Sequence, residues 1–177
     1  MQAIGWALLI FGVAFGVFML GSAAVGAGWE PTSREKVRKM LRMSGVGPSD
    51  VVYDLGSGDG RIIVEAARTY HATAVGIEAD PLRVLLSRAA ISLLHLKERV
   101  NVIWGNFFNV DLSKATVVTI FLSQGTNRRL KPKLMSELRP GARVVSFVWT
   151  FEDWTPVARD SENRISVYLV PGQTRST

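Results

Sequence analysis

A glycine-rich segment, Asp54-Leu55-Gly56-Ser57-Gly58-Asp59-Gly60, constrains the fold of this chain more than any other feature. It begins inside Val51–Leu55, a short run of mainly apolar β-branched and aromatic residues that predicts a buried parallel strand. The glycines then predict a tight turn into a helix over Arg61–Tyr70, because glycine allows positive φ and lets a ligand approach the free amides of a helix start. The next apolar run, Ala72–Ile77, ends in Glu78, whose carboxylate is placed to accept hydrogen bonds from both hydroxyls of a ribose. The two strand ends together predict a site for a nucleotide-like ligand.

Two cofactors suit such a site, and the spacing of the glycines separates them. Dinucleotide sites use Gly-x-Gly-x-x-Gly, because a pyrophosphate has to sit on the helix amides. Here the third glycine, Gly60, comes two residues after Gly58, and Asp-x-Gly-x-Gly-x-Gly resembles the first motif of Rossmann-like methyltransferases. We therefore expect S-adenosylmethionine rather than NAD. If the glycines only made a tight turn, the spacing to Glu78 would be an accident. The predicted cofactor-binding residues are Asp54, Gly56, Ser57, Gly58, Gly60, Glu78, Asn106 and Phe107.

Strands and helices alternate through the rest of the chain, which predicts an α/β fold with a Rossmann-like parallel sheet and flanking helices. A helix precedes this pattern: Thr32 and Glu35 predict a capping box, and the helix runs to about Met43 with arginines on one face and apolar residues on the other. The predicted strands cover residues 50–55, 73–78, 99–104, 116–122, 142–149 and 164–170, and the following helices cover residues 60–70, 81–95 and about 126–136.

The ends of the third and fourth strands carry candidates for adenine and acceptor binding, because such sheets bind ligands at their carboxyl ends. We expect Asn106 to hydrogen-bond the adenine edge and Phe107 to stack on a ring, although the phenylalanine is equally well explained as ordinary core. Ser123 either orients the acceptor or simply caps the next helix. Phe107, Phe121 and Trp149 are candidates for aromatic walls around the acceptor. The predicted catalytic residues are therefore Ser123, Phe107 and Trp149.

The amino-terminal residues predict a membrane anchor. Residues 1–29 contain no charged side chain, and the apolar stretch from Ala3 to Gly21 is long enough to cross a bilayer of about 30 Å at about 1.5 Å per residue. A cleaved signal peptide is the alternative, but the basic start of such a peptide is missing. We expect one transmembrane helix over residues 1–29 and a catalytic domain over residues 30–177. Five basic residues follow the anchor and place that domain on the cytoplasmic face, or on the matrix side in an organelle: Arg34, Lys36, Arg38, Lys39 and Arg42.

Charge and cysteine content narrow the range of partners and chemistries. All 21 basic and 15 acidic side chains follow residue 29, and the resulting net charge of +6 suits an anionic membrane surface. We expect no nucleic-acid partner, because no basic run is interleaved with aromatic residues. The absence of cysteine excludes disulfides, a thiolate nucleophile and a cysteine metal cluster, and we predict no metal site.

Several segments together resemble a known family. They are Asp54 to Arg61, Gly105 to Phe108, Thr116 to Leu122, Leu130 to Leu134 and Arg139 to Ser146, and the similarity runs in order from about Pro31 to Val170. In this respect the chain is similar to the small S-adenosylmethionine-dependent protein-lysine methyltransferases of archaea and their membrane-anchored mitochondrial relatives.

The resemblance implies a class I methyltransferase sheet and methyl transfer to a lysine side-chain amine of a protein, which we expect to be a membrane protein. Two alternatives share the cofactor and the anchor: a methyltransferase acting on the ethanolamine headgroup of phospholipids, and a non-catalytic regulator that only binds S-adenosylmethionine. A ribosomal RNA methyltransferase is a weaker alternative, and the oligomeric state stays open.

Overall fold

The sheet of the protein has seven strands in the order β3-β2-β1-β4-β5-β7-β6 in a computed structural model that describes residues 32–172. The strands are β1 (Val51–Leu55), β2 (Thr73–Glu78), β3 (Val100–Trp104), β4 (Val117–Ile120), β5 (Arg143–Phe147), β6 (Ala158–Asp160) and β7 (Ile165–Leu169). The helices are α1 (Arg34–Met43), α2 (Arg61–Tyr70), α3 (Pro81–Leu93) and α4 (Gln124–Glu137), with a short 3-10 helix over Phe107–Asn109.

The predicted α/β alternation is confirmed, and the predicted parallel sheet is extended by antiparallel pairing at one side. Strands β1 to β5 run parallel to one another, whereas β7 is antiparallel to both β5 and β6. The reason is the connection after β5: it contains no helix, and β6 and β7 form a hairpin whose turn is held by the Asp160 side chain, which accepts hydrogen bonds from Asn163. The sheet is therefore mixed.

The ends of several elements also differ from the sequence predictions. Helix α1 is capped by Ser33, whose side chain accepts a hydrogen bond from the Lys36 amide, so the capping box predicted at Thr32 is wrong. Strand β5 ends at Phe147, before the predicted end at residue 149, because Val148 has a φ of 73° and leaves the extended conformation.

The helices cover both faces of the sheet with apolar side chains. On one face, α1, α2 and α3 contribute buried residues such as Met40, Ile63 and Val84. On the other, α4 contributes Leu130 and Leu134. This packing leaves the carboxyl ends of the parallel strands, here called the carboxyl edge, as the place where loops gather.

The predicted transmembrane helix lies outside the described residues, and the division of the chain at residue 29 stays a prediction. No helix within residues 32–172 has the length and apolar character needed to cross a bilayer.

Candidate functional site

The glycine loop between β1 and α2 is tied to the end of β2 by backbone hydrogen bonds. The amides of Gly56 and Ser57 both donate to the Ile77 carbonyl, at 2.9 and 3.0 Å. On the far side, the Ser87 hydroxyl of α3 donates to the Gly58 carbonyl at 2.9 Å. Since main-chain groups make most of these bonds, the loop geometry follows from the glycine pattern itself.

Glu78 fastens the same loop with its side chain. Its carboxylate is buried and accepts hydrogen bonds from the Gly58 amide at 2.8 Å and the Asp80 amide at 2.9 Å. A carboxylate has about four lone-pair sites, so acceptor capacity remains for the predicted ribose bonds. The sequence predicted a ligand contact at Glu78, but it did not reveal that the residue also shapes the loop.

Two glycines of the motif are needed for different reasons. A Cβ built on Gly58 meets no atom within 4 Å, so the space beside it is open to a ligand. A Cβ on Gly60 lies 3.1 Å from the Ser87 hydroxyl oxygen, so this glycine allows α2 and α3 to pack closely. Gly58 is therefore the position of close ligand approach, whereas Gly60 holds the helices together.

Asp54 lies at the carboxyl end of β1 and is buried. Its carboxylate accepts a hydrogen bond of 2.7 Å from the Thr119 hydroxyl on the neighbouring strand β4. Burial raises the pKa of the Asp54 carboxyl to about 7; the Thr119 hydrogen bond opposes this shift, and the nearby carboxylates of Glu78 and Asp59 add to it. Thr119 was not predicted, and its sequence signal is a lone hydroxyl in the otherwise apolar strand Val117–Ile120.

An arginine connects the glycine loop to the start of the described chain. The Arg61 guanidinium pairs with the Asp59 carboxylate and also donates a 2.7 Å hydrogen bond to the Thr32 carbonyl. The hydrogen bond from Arg61 lowers the pKa of the Asp59 carboxyl, so Asp59 stays ionised. Thr32, the residue from which the chain enters α1, is thereby held at the carboxyl edge.

The groups gathered here fit S-adenosylmethionine. Open space lies beside Gly58, and the carboxyl groups of Asp54 and Glu78 suit a ligand that carries positive charge and a ribose diol. The Ser57 hydroxyl is buried against Gly76 of β2 and has no hydrogen-bond partner among the described residues, so the predicted cofactor contact of Ser57 stays a prediction. Asp54, Gly58 and Glu78 would hold the cofactor. No group of three metal-ligating side chains occurs within residues 32–172.

The residues predicted to bind adenine take part in local structure. Asn106 is exposed and its side-chain oxygen accepts a hydrogen bond of 3.0 Å from the Phe108 amide, which caps the 3-10 helix. Phe107 is half-buried against the core beneath α4, with its ring centroid 4.8 Å from that of Phe108. The predicted adenine contacts of both residues stay predictions.

Ser123 caps α4, as the alternative interpretation of this residue expected. Its hydroxyl accepts a 3.3 Å hydrogen bond from the Thr126 amide and lies 2.9 Å from the Thr126 hydroxyl. Capping accounts for its presence, and a direct role in orienting the acceptor stays a prediction.

The end of β5 carries a strained turn that the sequence did not reveal. The Trp149 amide donates to the Phe147 carbonyl at 3.0 Å across Val148, whose φ of 73° is rare for a β-branched residue. The Val148 amide is fixed in turn by a 2.7 Å bond to the Arg164 carbonyl. Trp149, which was predicted to line the acceptor site, is 44% exposed directly after this turn.

A buried polar cluster supports the turn from below. The Asn127 amide of α4 donates to the Ser146 hydroxyl at 3.3 Å and to the Trp149 carbonyl at 3.2 Å, and the Ser146 hydroxyl also donates to that carbonyl. The Asn127 side-chain oxygen is buried without a partner in the described part of the chain. Asn127 and Ser146 were missed as site residues because a single buried amide on a helix and a single hydroxyl within a strand form no motif in the sequence.

Comparison with known proteins identifies the family. A family model described as the ANTKMT methyltransferase domain matches residues 54–158. A protein-lysine N-methyltransferase from Saccharolobus islandicus is 46% identical over 144 residues, which cover 78% of this chain and 89% of that protein. The adenine nucleotide translocase lysine N-methyltransferase of Mus musculus is 34% identical over 142 residues, covering 79% of this chain and 62% of that protein.

A solved structure supports both the fold and the cofactor. The crystal structure of a protein described as an RNA methyltransferase from Salinibacter ruber, in complex with S-adenosyl-L-homocysteine, superposes with a TM-score of 0.79 at 38% identity. The match covers 84% of this chain and 98% of that chain. S-adenosyl-L-homocysteine is what remains of S-adenosylmethionine after methyl transfer, so the prediction of S-adenosylmethionine rather than NAD is confirmed. The resemblance and the class I methyltransferase fold are confirmed as well. The chain belongs to the ANTKMT methyltransferase domain family and is an S-adenosylmethionine-dependent N-methyltransferase.

Proposed function

We propose that this protein methylates the side-chain amine of a lysine in a protein, and that the substrate is a membrane protein. The observation that carries the proposal is the match to the Saccharolobus protein-lysine N-methyltransferase, at 46% identity over nearly the whole length of that relative. The mouse relative is named for a lysine of the adenine nucleotide translocase, but the chain covers only 62% of its length, so we transfer the acceptor group and not the target.

The cofactor supplies a methyl group made electrophilic by a positively charged sulfur, and the protein has to supply a neutral amine. A lysine with a pKa of about 10.4 is protonated at pH 7, and neutralising it costs about 4.6 kcal/mol. Burial of the amine beside the cofactor's positive charge lowers that cost, because both disfavour the ammonium form. Alignment of the amine within the site contributes several kcal/mol more. No covalent intermediate with the protein is required.

We assign the acceptor entrance to the carboxyl ends of β4 and β5. The exposed indole of Trp149 offers an apolar wall for the methylene stem of a lysine, and its π face favours methylated ammonium products. The buried side-chain oxygen of Asn127, which is free to accept a hydrogen bond within the described structure, suits an amine donor. Ser123 helps by fixing the start of α4. These assignments are supported by position and chemistry.

Membrane anchoring by residues 1–29 remains part of the proposal. In α1, Arg34 and Arg42 are exposed and suit anionic headgroups, whereas Arg38 is engaged by Glu65 at 2.7 Å. We place the catalytic domain on the cytoplasmic face, or on the matrix side in an organelle, on the basis of the positive charge that follows the apolar segment.

A second candidate acceptor is RNA, because the Salinibacter structure is described as an RNA methyltransferase. The net charge of +6 is compatible with such a substrate. Against it, the sequence has no basic run interleaved with aromatic residues. We therefore rank RNA below protein lysine.

One experiment separates the acceptors. The purified full-length protein is incubated with methyl-labelled S-adenosylmethionine and a membrane extract, and the label is then followed in protein, lipid and RNA fractions. We expect label in protein, on a lysine identified by mass spectrometry, and none with the Gly58→Arg variant. Label confined to lipid or to RNA would overturn the lysine proposal in favour of that acceptor. Binding without any transfer in all three fractions would indicate the regulator alternative.

A further inference from the structure

We propose that the outer face of α3 is a lipid-binding surface that lies in the headgroup region of a bilayer; this inference rests on the membrane location proposed above. The surface, here called the leucine face, consists of Leu82, Leu85, Leu86, Ala89 and Leu93. These residues recur at helical spacing and form one stripe along the helix. The buried residues Val84, Ser87 and Ile91 form the opposite stripe, which packs on the domain.

The leucine face is apolar where a surface helix is normally polar. Leu85 is 64% exposed and Leu93 is 79% exposed. Nine large apolar side chains are exposed within residues 32–172, and five of them lie in α3 or at its end: Leu82, Leu85, Leu86, Leu93 and Leu94. In contrast, the exposed side of α4 carries Arg128, Arg129 and Ser136. Such a concentration of leucine on one helix marks an interaction surface.

The charges around the leucine face favour lipid as the occupant. Helix α3 contains no acidic residue after its N-cap, Asp80, and Arg83 and Arg88 flank the stripe on its two sides. Arg83 pairs with Asp80 at 3.6 Å, and the Arg88 guanidinium donates to the Val102 carbonyl at 2.8 Å. The exposed indole of Trp104 lies at the end of β3, with its N–H bonded to the Ala79 carbonyl just before α3 at 3.0 Å. Leucines bordered by arginines and an indole are typical of a helix that lies at a membrane interface.

A second copy of this chain fits the leucine face less well. A symmetric dimer brings the same patch of two molecules together. Because arginines flank the stripe on both sides, such a contact brings two arginine-bordered surfaces together. The Asp80 carboxylate pairs with Arg83, but no carboxylate pairs with Arg88 within the described residues, so like charges at close range remain unfavourable. An anionic lipid surface instead turns the same arginines into favourable contacts.

The start of the described chain and the start of α3 lie at the same edge of the sheet. The Arg61 guanidinium holds the Thr32 carbonyl at the carboxyl edge, where α3 also begins directly after Glu78, Ala79 and Asp80.

Site-directed labelling tests the proposal, because the chain contains no cysteine. Leu86→Cys and, as a matched control, Leu169→Cys are each labelled with an environment-sensitive fluorophore in the full-length protein. Leu86 and Leu169 are leucines of comparable exposure, 56% and 43%, but Leu169 lies at the end of the sheet opposite the carboxyl edge. The labelled proteins are mixed with vesicles of phosphatidylcholine and phosphatidylglycerol, with or without spin-labelled lipid.

We expect spin-labelled lipid to quench the fluorophore at position 86 several-fold more than the one at position 169. Equal, weak quenching at both positions, or protein that does not float with the vesicles, would overturn the proposal. Fluorescence at position 86 that depends on the ratio of protein to lipid but not on the quencher would assign the face to a second copy instead. Methyl transfer by the same labelled proteins is measured separately, so failure of this inference is distinguishable from failure of the proposed function.

Discussion

The two halves of the carboxyl edge are built in different ways. At the ends of β1 and β2, backbone amides and the Glu78 carboxylate fix the cofactor loop, and glycines provide the space for a ligand. At the ends of β4 and β5, side-chain hydrogen bonds from Asn127 and Ser146 hold a turn in which Val148 is strained.

This difference has a functional meaning. A cofactor that a whole family binds requires one loop geometry. The main-chain hydrogen bonds of a glycine loop provide this geometry with almost any surrounding side chains. An acceptor site has to differ between substrates, and a turn held by a few side chains can be changed by single substitutions. We therefore expect substitutions in the cofactor half to change the affinity for S-adenosylmethionine, and those in the acceptor half to change turnover.

The largest effect is expected from Gly58→Arg. The added side chain enters the open space beside the loop where the ligand would lie, and the φ of 56° at Gly58 is unfavourable for arginine, so we expect the affinity for S-adenosylmethionine to fall about 100-fold or more. Calorimetric titration measures this affinity. The control is Gly125→Arg, also at a glycine with open space but in α4, which should keep wild-type affinity. Equal losses of affinity in both variants would contradict the distinction between the cofactor half and the acceptor half.

Glu78→Ala is expected to have the next largest effect. It removes charge-assisted bonds to the ribose and leaves the amides of Gly58 and Asp80 without their partner, so we expect an affinity loss of about 10- to 100-fold. Loss of those amide bonds should also lower the free energy of unfolding by about 1–3 kcal/mol. Glu78→Gln retains the size of the side chain, so its affinity for S-adenosylmethionine and its free energy of unfolding should both fall less than those of the alanine variant. Wild-type affinity in the alanine variant would contradict the assignment.

The affinity for S-adenosylmethionine should also depend on pH through Asp54. Its pKa of about 7 lies above the ordinary value of 3.8, so without cofactor its carboxyl stabilises the fold most below pH 3.8, and this contribution is lost as the pH rises through 7. The positively charged cofactor favours the ionised form, so affinity should fall up to about tenfold for each pH unit below 7. Calorimetric titration of wild type and Asp54→Asn between about pH 5.5 and about pH 8 checks this. The range extends from about 1.5 units below that pKa to about 1 unit above it. A flat wild-type profile would contradict it.

Asn127→Ala probes the acceptor half. Loss of the amide leaves the Trp149 carbonyl held by Ser146 alone, so we expect kcat/KM for the protein acceptor to fall about tenfold while the affinity for S-adenosylmethionine is unchanged. Steady-state kinetics with varied acceptor, together with calorimetry, measure the two quantities. Ser136→Ala, at an exposed position of the same helix, serves as the control. A loss of cofactor affinity equal to the loss of kcat/KM would show that the halves are not separate.

The smallest effect is expected from Val148→Gly. Glycine adopts the positive φ without strain, so the free energy of unfolding should stay within about 1 kcal/mol of wild type or rise, whereas KM for the acceptor should rise about threefold as Trp149 loses its fixed position. Thermal denaturation and kinetics check both. The control Val145→Gly, in the extended centre of β5, should be clearly destabilised.

The same comparison explains what could be predicted from the sequence. The spacing from Gly56 to Glu78 was sufficient to predict two strand ends and their cofactor, because each glycine reports a backbone requirement. The antiparallel β7 was not predictable from the residues of the strand, because its direction depends on the Asp160 turn. Val148 and Asn127 were missed because a positive φ at valine and a buried amide leave no pattern in a single sequence. Ser123 was left open between two roles, since a cap and a ligand contact use the same hydroxyl.

A structure of the protein with S-adenosylhomocysteine bound tests the central claim most directly. We predict that the ribose hydroxyls lie within hydrogen-bond distance of the Glu78 carboxylate, with the nucleoside over Gly58 and the sulfur facing the ends of β4 and β5. Density for the ligand elsewhere, or a ribose that does not contact Glu78, would contradict the account.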